Sequence, residues 1–356
     1  MEKIKVSNLI GGEYLSKPVV SKGFHTVLFE GTKITEADIE FLKEIGIEEV
    51  EIFDTEAEDE TKEREIIKRE VHNECKDRMK TVLTKHICTD KSSLSEITET
   101  AETIIDDIFD NDEIAIKVFD IKKRSGDLYD HCVTVSTLSV LTAMKMNLSH
   151  DNVYDIGVGS LLHDMGLKYI SVQYTNKEGT DFTPDELFEF KKHTVYGFSS
   201  VENESWMSTA AKKIILFHHE RINGTGYPFR QINIPLAAKI VAVCDGFDDR
   251  ICGVGYKQMS VSEAIEDIQK YRDVYYDGKI IDVFASFIAL YPVGTTVKTN
   301  RGDEAIVVEQ NTYFTDRPKI KLLRDKDGNS YNKEKIINLS ENSGILIETI
   351  SEEENA

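Results

Sequence analysis

The sequence predicts a mainly α protein: a helical bundle with a small mixed α/β domain ahead of it and a small β domain behind it. Three observations predict this. Apolar residues recur at three- and four-residue steps almost without a break from residue 91 to residue 290. Only six prolines occur in 356 residues, and two of them, Pro228 and Pro235, flank one loop. Beyond Tyr291-Pro292 the texture changes to short β-rich runs separated by turn signals.

Residues 1–55 read as the mixed α/β domain. Short β-type runs at Val19-Val20, Val27–Phe29 and Val50–Ile52 flank a helix from about Glu36 to Ile45, with Thr35 as its N-cap and Gly46 as its stop. Residues 56–90 are mostly charged, with a thin apolar stripe of Ile66, Ile67, Val71 and Met79, and are expected to form an exposed linker helix. Residues 91–290 form the helical domain, with helical spacing over 97–118, 132–148, 153–164, 185–201, 207–219, 235–249 and 261–290. Residues 291–350 carry strands expected at Thr295–Thr299, Ala305–Glu309, Lys319–Leu323 and Gly344–Ile350. The acidic tail 351–356 is expected to lack structure.

Composition excludes several classes of function. Lys plus Arg number 43 and Asp plus Glu 64, so the formal charge is 43 − 64 = −21. Proteins that grip long nucleic acid through its phosphates concentrate positive charge instead. A small anionic substrate stays open, because bound metal ions invert the local field. No apolar run is long enough to span a bilayer, and the N-terminal residues lack the apolar core of a signal peptide. The five cysteines follow no C-x-x-C spacing, which suits reduced thiols and a cytoplasmic protein.

The chemistry lies in the histidines and aspartates of the helical domain. Asp127 and His131 are four apart, so they can share a helix face. His163-Asp164, His193, His218-His219 and Asp245 follow, at intervals of about one helical hairpin, so each returns to the same end of a bundle. Neighbours on a helix diverge by about 100°, so adjacent ligand pairs suit a cluster of two or more ions. Taken singly, a histidine on a helix is more often an ordinary interior or surface residue. Five histidines and three aspartates in this pattern, with apolar runs before His163 and His218, point instead to a joint metal role. His25, His72, His86 and His150 fall outside it, and Cys132 and Cys244 read as small buried hydrophobes. Imidazole and carboxylate donors without thiolate suit iron or manganese, and zinc less well. Two or three divalent ions held this way favour hydrolysis of a phosphate ester.

The strings Leu162-His163-Asp164-Met165-Gly166, His218-His219-Glu220-Arg221-Ile222-Asn223-Gly224-Thr225-Gly226-Tyr227-Pro228 and Lys239–Asp248 resemble the HD-GYP family. This is a branch of the HD phosphohydrolases whose members degrade cyclic dinucleotides in bacteria. The resemblance covers about residues 120–290. It implies a bundle with His163, Asp164, His193, His218, His219 and Asp245 as central metal ligands, His163 and Asp164 being the catalytic pair. It also implies His131 and Asp127 as further ligands where a third ion is bound. Asp164 is the best candidate to bridge two ions, since a carboxylate has two acceptor oxygens. The Asn223–Pro228 loop has two readings: a border of the active site that meets a protein partner, or a turn that only shapes the helix end.

The chain also departs from the family's pattern. Leu167 stands where a phosphate-contacting lysine is usual, with Lys168 one place later. Val254-Gly255-Tyr256-Lys257 stands for Arg-Pro-Tyr-Arg, and Asp249 stands for alanine. A lost charge-assisted phosphate contact costs about 1.5–3 kcal/mol. The candidate substrate contacts are therefore Lys257, Lys168, Arg221 and Tyr227, with Arg221 equally readable as a structural ion-pair partner. The expected activity is hydrolysis of cyclic di-GMP to linear pGpG and on to GMP. The rival expectation is a catalytically weak, metal-bound receptor for the same dinucleotide. A homodimer is left open, and neither a membrane nor long nucleic acid is expected as a partner.

Overall fold

The computed structural model describes residues 2–6, 9, 19–20, 26–28, 34, 36–47, 49–52, 65–89, 94–109, 121, 127–311, 314–331 and 334–350. Phe29, Thr35, the 53–64 charge run, the stretch 110–118 and the acidic tail lie outside these residues, as does His25. The chain divides into two compact units, Met1–Lys62 and Glu63–Ala356.

In the first unit, β1 (Glu2–Lys5) pairs antiparallel with β4 (Glu49–Ile52), and β2 (Val19–Val20) pairs with β3 (Thr26–Leu28). Helix α1 (Glu36–Glu44) buries Ile39 and Leu42 in a core with Val6, Leu9, Val19, Ile34 and Val50. β1 is a strand that the periodicity did not pick out.

The second unit opens with α2 (Arg69–Thr89) and α3 (Glu96–Phe109). The linker reading of α2 needs correction. Ile66, Ile67, Cys75, Met79, Val82 and Leu83 are buried in the bundle core. Their spacing makes a stripe narrow enough to look weak in sequence yet long enough to seat a helix.

Helix α4 (Leu128–Lys145) is buried on nearly every side and forms the bundle's axis. It packs against α5 (His150–Leu162) and α9 (Leu236–Cys252), and α5 packs on α8 (Thr209–Phe217). The expected helix over 185–201 is two helices, α6 (Pro184–Lys191) and α7 (His193–Val201). Thr183 and Glu186 cap α6 reciprocally, with Pro184 in the first turn. The expected helix over 261–290 is likewise two, α10 (Val261–Lys270) and α11 (Gly278–Ala285), each started by its own cap at Ser260 and Asp277.

The chain ends in a five-stranded antiparallel sheet of β5 (Thr296–Thr299), β6 (Glu304–Glu309), β7 (Lys319–Arg324), β8 (Ile336–Asn338) and β9 (Ile347–Ile350), in the order β8-β7-β6-β5-β9. Val297, Ala305, Val307, Ile320 and Leu322 alternate inward to form its core. β8 was not among the expected strands, because three residues are too few to show alternation.

Candidate metal centre

The two ligand pairs do not sit mid-helix. His163 is the C-cap of α5 and His218 that of α8, so Asp164 and His219 lie in the turns beyond. Leaving the helix lets both members of a pair face one centre, which a continued helix forbids. Gly166 makes the first turn work: a Cβ there would stand 1.9 Å from the His193 carbonyl oxygen. That close approach seats Asp164 beside the first turn of α7, with Asp164 Oδ1 3.2 Å from His193 Nε2.

Four imidazoles present Nε2 to the centre because their other nitrogen is engaged behind. Nδ1 donates to a backbone carbonyl in His163 (Ser160, 2.6 Å), His193 (Phe190, 2.7 Å) and His218 (Ile215, 2.9 Å). In His131 it meets Asp248 Oδ2 at 2.8 Å. Metal-bound histidines are commonly oriented in this way. Asp248 is a positioning carboxylate that sequence reasoning missed; its place three residues after Asp245 on α9 was the available signal.

Asp164 lies between two sets of donors. Its Oδ1 is 3.2 Å from His193 Nε2 and 3.5 Å from His218 Nε2, while Oδ2 is 3.5 Å from His131 Nε2. Asp245 Oδ1 is 3.1 Å from His163 Nε2 and 3.3 Å from His131 Nε2. The two four-membered groups of ligand atoms are Asp164, His193, His218, His219 and His131, His163, Asp164, Asp245, with Asp164 common to both; His131, Asp248, Cys252 and His219, Asp245, Asp249 form two smaller ones. All seven residues are buried.

The residues fit divalent cations. Asp164 Oδ1, Asp245 Oδ2 and Asp249 Oδ1 are buried without a hydrogen-bond partner, and all three belong to this cluster. Buried carboxylates left this way are costly. With Nδ1 donating, Nε2 turns a lone pair toward carboxylate oxygen, so a proton or a cation must stand between them. The electrostatics agree. Burial opposes a charged imidazole at His131 and His163, but Cys252, Asp245 and Asp248 around the first and Asp164 and Asp245 around the second outweigh it, so both titrate well above the ordinary histidine range. Burial likewise works against ionised Asp164 and Asp245, and the surrounding imidazoles overcome it and hold both well below the carboxylate range. Burial pushes His193 down to about 4 and His219 well below its usual value, so both are neutral donors.

Asp127 is not brought to the cluster. Its Oδ1 caps α4 by accepting from the Tyr129 and Asp130 N–H groups, and its Oδ2 is 3.4 Å from Lys76 Nζ. An aspartate at an N-cap is held by the helix start, and the i, i+4 argument applies only inside the helix.

The four expected substrate contacts separate. Tyr227 stacks on His219 with ring centroids 4.7 Å apart. Gly226 permits this, since a Cβ there would stand 2.4 Å from the Arg221 nitrogen. Arg221 is spent on the carbonyls of His218 and Glu220 and on the face of Tyr276. These partners are carbonyls and a ring rather than an acid. Lys257 is exposed and paired with Glu178 and Asp181, and Lys168 lies over Tyr129. Two features were missed in sequence. Glu220 accepts from the Phe229 and Gln231 N–H groups and so anchors the loop, and Lys191 lies 5.4 Å over the Tyr227 ring, at the side of the cluster.

A bundle that gathers buried imidazole and carboxylate donors from successive helix ends defines a metal-binding HD domain, and residues 110–280 match the HD domain family. The chain's His163-Asp164 and His218–Pro228 strings resemble those of the HD-GYP branch of that family. Residues 296–356 match a KOW domain associated with the HD domain. A cyclic di-GMP phosphodiesterase of Pseudomonas aeruginosa is 30% identical over 57% of this chain and 49% of its own length. One from Thermotoga maritima is 32% identical over 45% of each. The chain thus spans about half the length of the curated relatives it matches. The solved HDG"Y"P protein Bd1817 of Bdellovibrio bacteriovorus shares the fold, with a TM-score of 0.50 and 19% identity over 80% of this chain and 97% of that one.

Proposed function

We propose that this protein is a divalent-metal-dependent phosphodiesterase that hydrolyses a cyclic dinucleotide, foremost cyclic di-GMP, to linear pGpG and onward to GMP. The observation that carries the proposal is Asp164 standing between two sets of imidazoles, one oxygen toward each. The names of the Pseudomonas and Thermotoga relatives support the substrate. The ligands in this reading are His131, His163, Asp164, His193, His218, His219 and Asp245. Divalent cations held there supply a water of lowered pKa and neutralise charge developing on the phosphoryl oxygens. Asp164 and Asp245, kept ionised by the imidazoles, hold that positive field in place. Burial keeps the Tyr227 phenol protonated, so it can donate a hydrogen bond to a phosphoryl oxygen. Lys191, rather than Lys257 or Arg221, supplies a cation at this edge.

We assign iron or manganese ahead of zinc. The two groups that share Asp164 offer imidazole nitrogen and carboxylate oxygen only, a donor set that suits these metals. Residues 91–290 act as the phosphohydrolase domain and 291–350 as its appendage. A cytoplasmic setting fits the free, buried Cys75, Cys132, Cys244 and Cys252. Among the described residues no helix is long and apolar enough to cross a membrane. A homodimer and a protein docking on the Asn223–Pro228 loop belong to the same reading, and Phe229 and Ile232 beside that loop are exposed.

One observation favours a second reading, a metal-bound receptor with little turnover. Leu167 and Val254, at positions where the family carries cations, are buried apolar residues at 3% and 2% exposure. The deciding measurement is turnover of excess cyclic di-GMP with manganese or iron(II), followed by chromatography. Linear product supports the phosphodiesterase; tight binding with the dinucleotide recovered intact sinks it in favour of the receptor.

A further inference from the structure

Helix α9 turns three carboxylates toward the cluster. Asp245 and Asp249 are four residues apart and share a face, and Asp248 lies between them against His131 Nδ1. Asp245 and Asp248 have work to do there. Asp249 has none that the fold explains. It is 3% exposed, and its Oδ1 has no hydrogen-bond partner. The adjacent Arg250 does not serve it, because that guanidinium is turned to Asp267 and the Gly246 carbonyl. Asp249 Oδ1 points inward, 3.9 Å from His131 Nε2.

A second unpartnered oxygen lies beside it. Asp245 uses Oδ1 toward His131 and His163, while its Oδ2 has no hydrogen-bond partner and stands 3.7 Å from His219 Nδ1. His219, Asp245 and Asp249 thus offer one ligand atom each within a single small group, which takes His219 from one of the groups on Asp164, Asp245 from the other, and adds Asp249. A polar oxygen buried without a partner is retained at a cost that a bound cation relieves. Two such oxygens facing one imidazole nitrogen make a three-donor set of the kind that leaves a coordination position open.

We propose that Asp249 is a metal ligand in this protein, completing a cation position of His219, Asp245 and Asp249 on the α9 side of the cluster. The carboxylate that serves an additional ion therefore comes from α9 and not from Asp127, which caps α4. The inference rests on the cluster being a metal centre, but not on the identity of the substrate.

The test uses the full-length protein loaded with manganese. Anomalous scattering from crystals of the wild type should show a peak at coordination distance, about 2.0–2.2 Å, from an Asp249 oxygen. Asp249→Ala should lose that peak and one manganese equivalent per chain by elemental analysis, while the ions on Asp164 remain. Asp127→Ala should keep the wild-type content. Asp249→Asn gives a near-isosteric second variant should the alanine variant fail to fold, judged by circular dichroism. A wild-type map with no peak at Asp249, or unchanged manganese content in a folded Asp249 variant, overturns the proposal. Cyclic di-GMP turnover without a peak at Asp249 would sink this assignment alone. A peak at Asp249 without turnover would sink the phosphodiesterase and leave the assignment standing.

Discussion

His218 turns Nε2 to Asp164 and Nδ1 to the Ile215 carbonyl, so its imidazole is committed on both sides. Replacing it with alanine should remove a cation from the group it shares with Asp164, His193 and His219 and abolish hydrolysis. Full metal content in a folded His218→Ala variant would contradict the ligand set. Protonation gives a second test at this scale. In the cation-free protein His131 and His163 hold their protons to pH values above the ordinary histidine range of about 6.5. A cation binds only the deprotonated nitrogens, so binding releases protons and affinity rises with pH through and beyond that range. His193 and His219 are already neutral there and add nothing to the slope. Calorimetric manganese titrations from pH 6 to 9 should show this rise, and a flat profile would show that these imidazoles are not displaced by metal. Lys191 supplies a third test: Lys191→Ala should raise KM for the dinucleotide by about tenfold, the equivalent of about 1.4 kcal/mol, with metal content unchanged. An unaltered KM would return the phosphate contact to other groups.

At the scale of elements, two helix ends and one glycine set the centre. The turn after α5 brings Asp164 to α7 only because Gly166 has no side chain to meet the His193 carbonyl. Gly166→Ala should force α5 and α7 apart, costing about 1–3 kcal/mol or more of stability and weakening metal binding with it. A variant with wild-type melting temperature and metal content would show that the approach is not needed. Leu167 lies in the same turn yet packs in the core. A lysine there would have to bury an ammonium group, so Leu167→Lys is expected to lower the melting temperature rather than restore a phosphate contact.

At the scale of the whole molecule, the proposed function asks a chain of net charge −21 to bind an anion. The seven clustered residues are therefore asked to create a local positive field inside an acidic protein, and only divalent cations supply it. Chelation should abolish dinucleotide binding and lower the melting temperature. At a hundredfold excess over its Kd, a single cation stabilises the folded state by about 2.7 kcal/mol. Dinucleotide binding that persists after complete metal removal would place recognition elsewhere on the molecule.

Much of this was legible in the chain. Three- and four-residue periodicity is local, so the helices between residues 128 and 285 announced themselves, apart from the breaks at Lys192 and at residues 271–277, where caps interrupt a continuous apolar pattern. The residue types at His131, His163-Asp164, His193, His218-His219 and Asp245 carry their chemistry whatever the fold, so the nature of the centre followed from the sequence as well. What only the tertiary structure decided was which of the candidate side chains reach the centre and which are used elsewhere. It spent Asp127 on a helix cap, Arg221 on carbonyls and Lys257 on an exposed ion pair, seated α2 in the core, and turned Asp248 and Asp249 toward His131 from more than a hundred residues away. Those outcomes depend on how α4, α5 and α9 pack against one another, and no spacing along the chain encodes the direction in which a side chain from one helix meets the next.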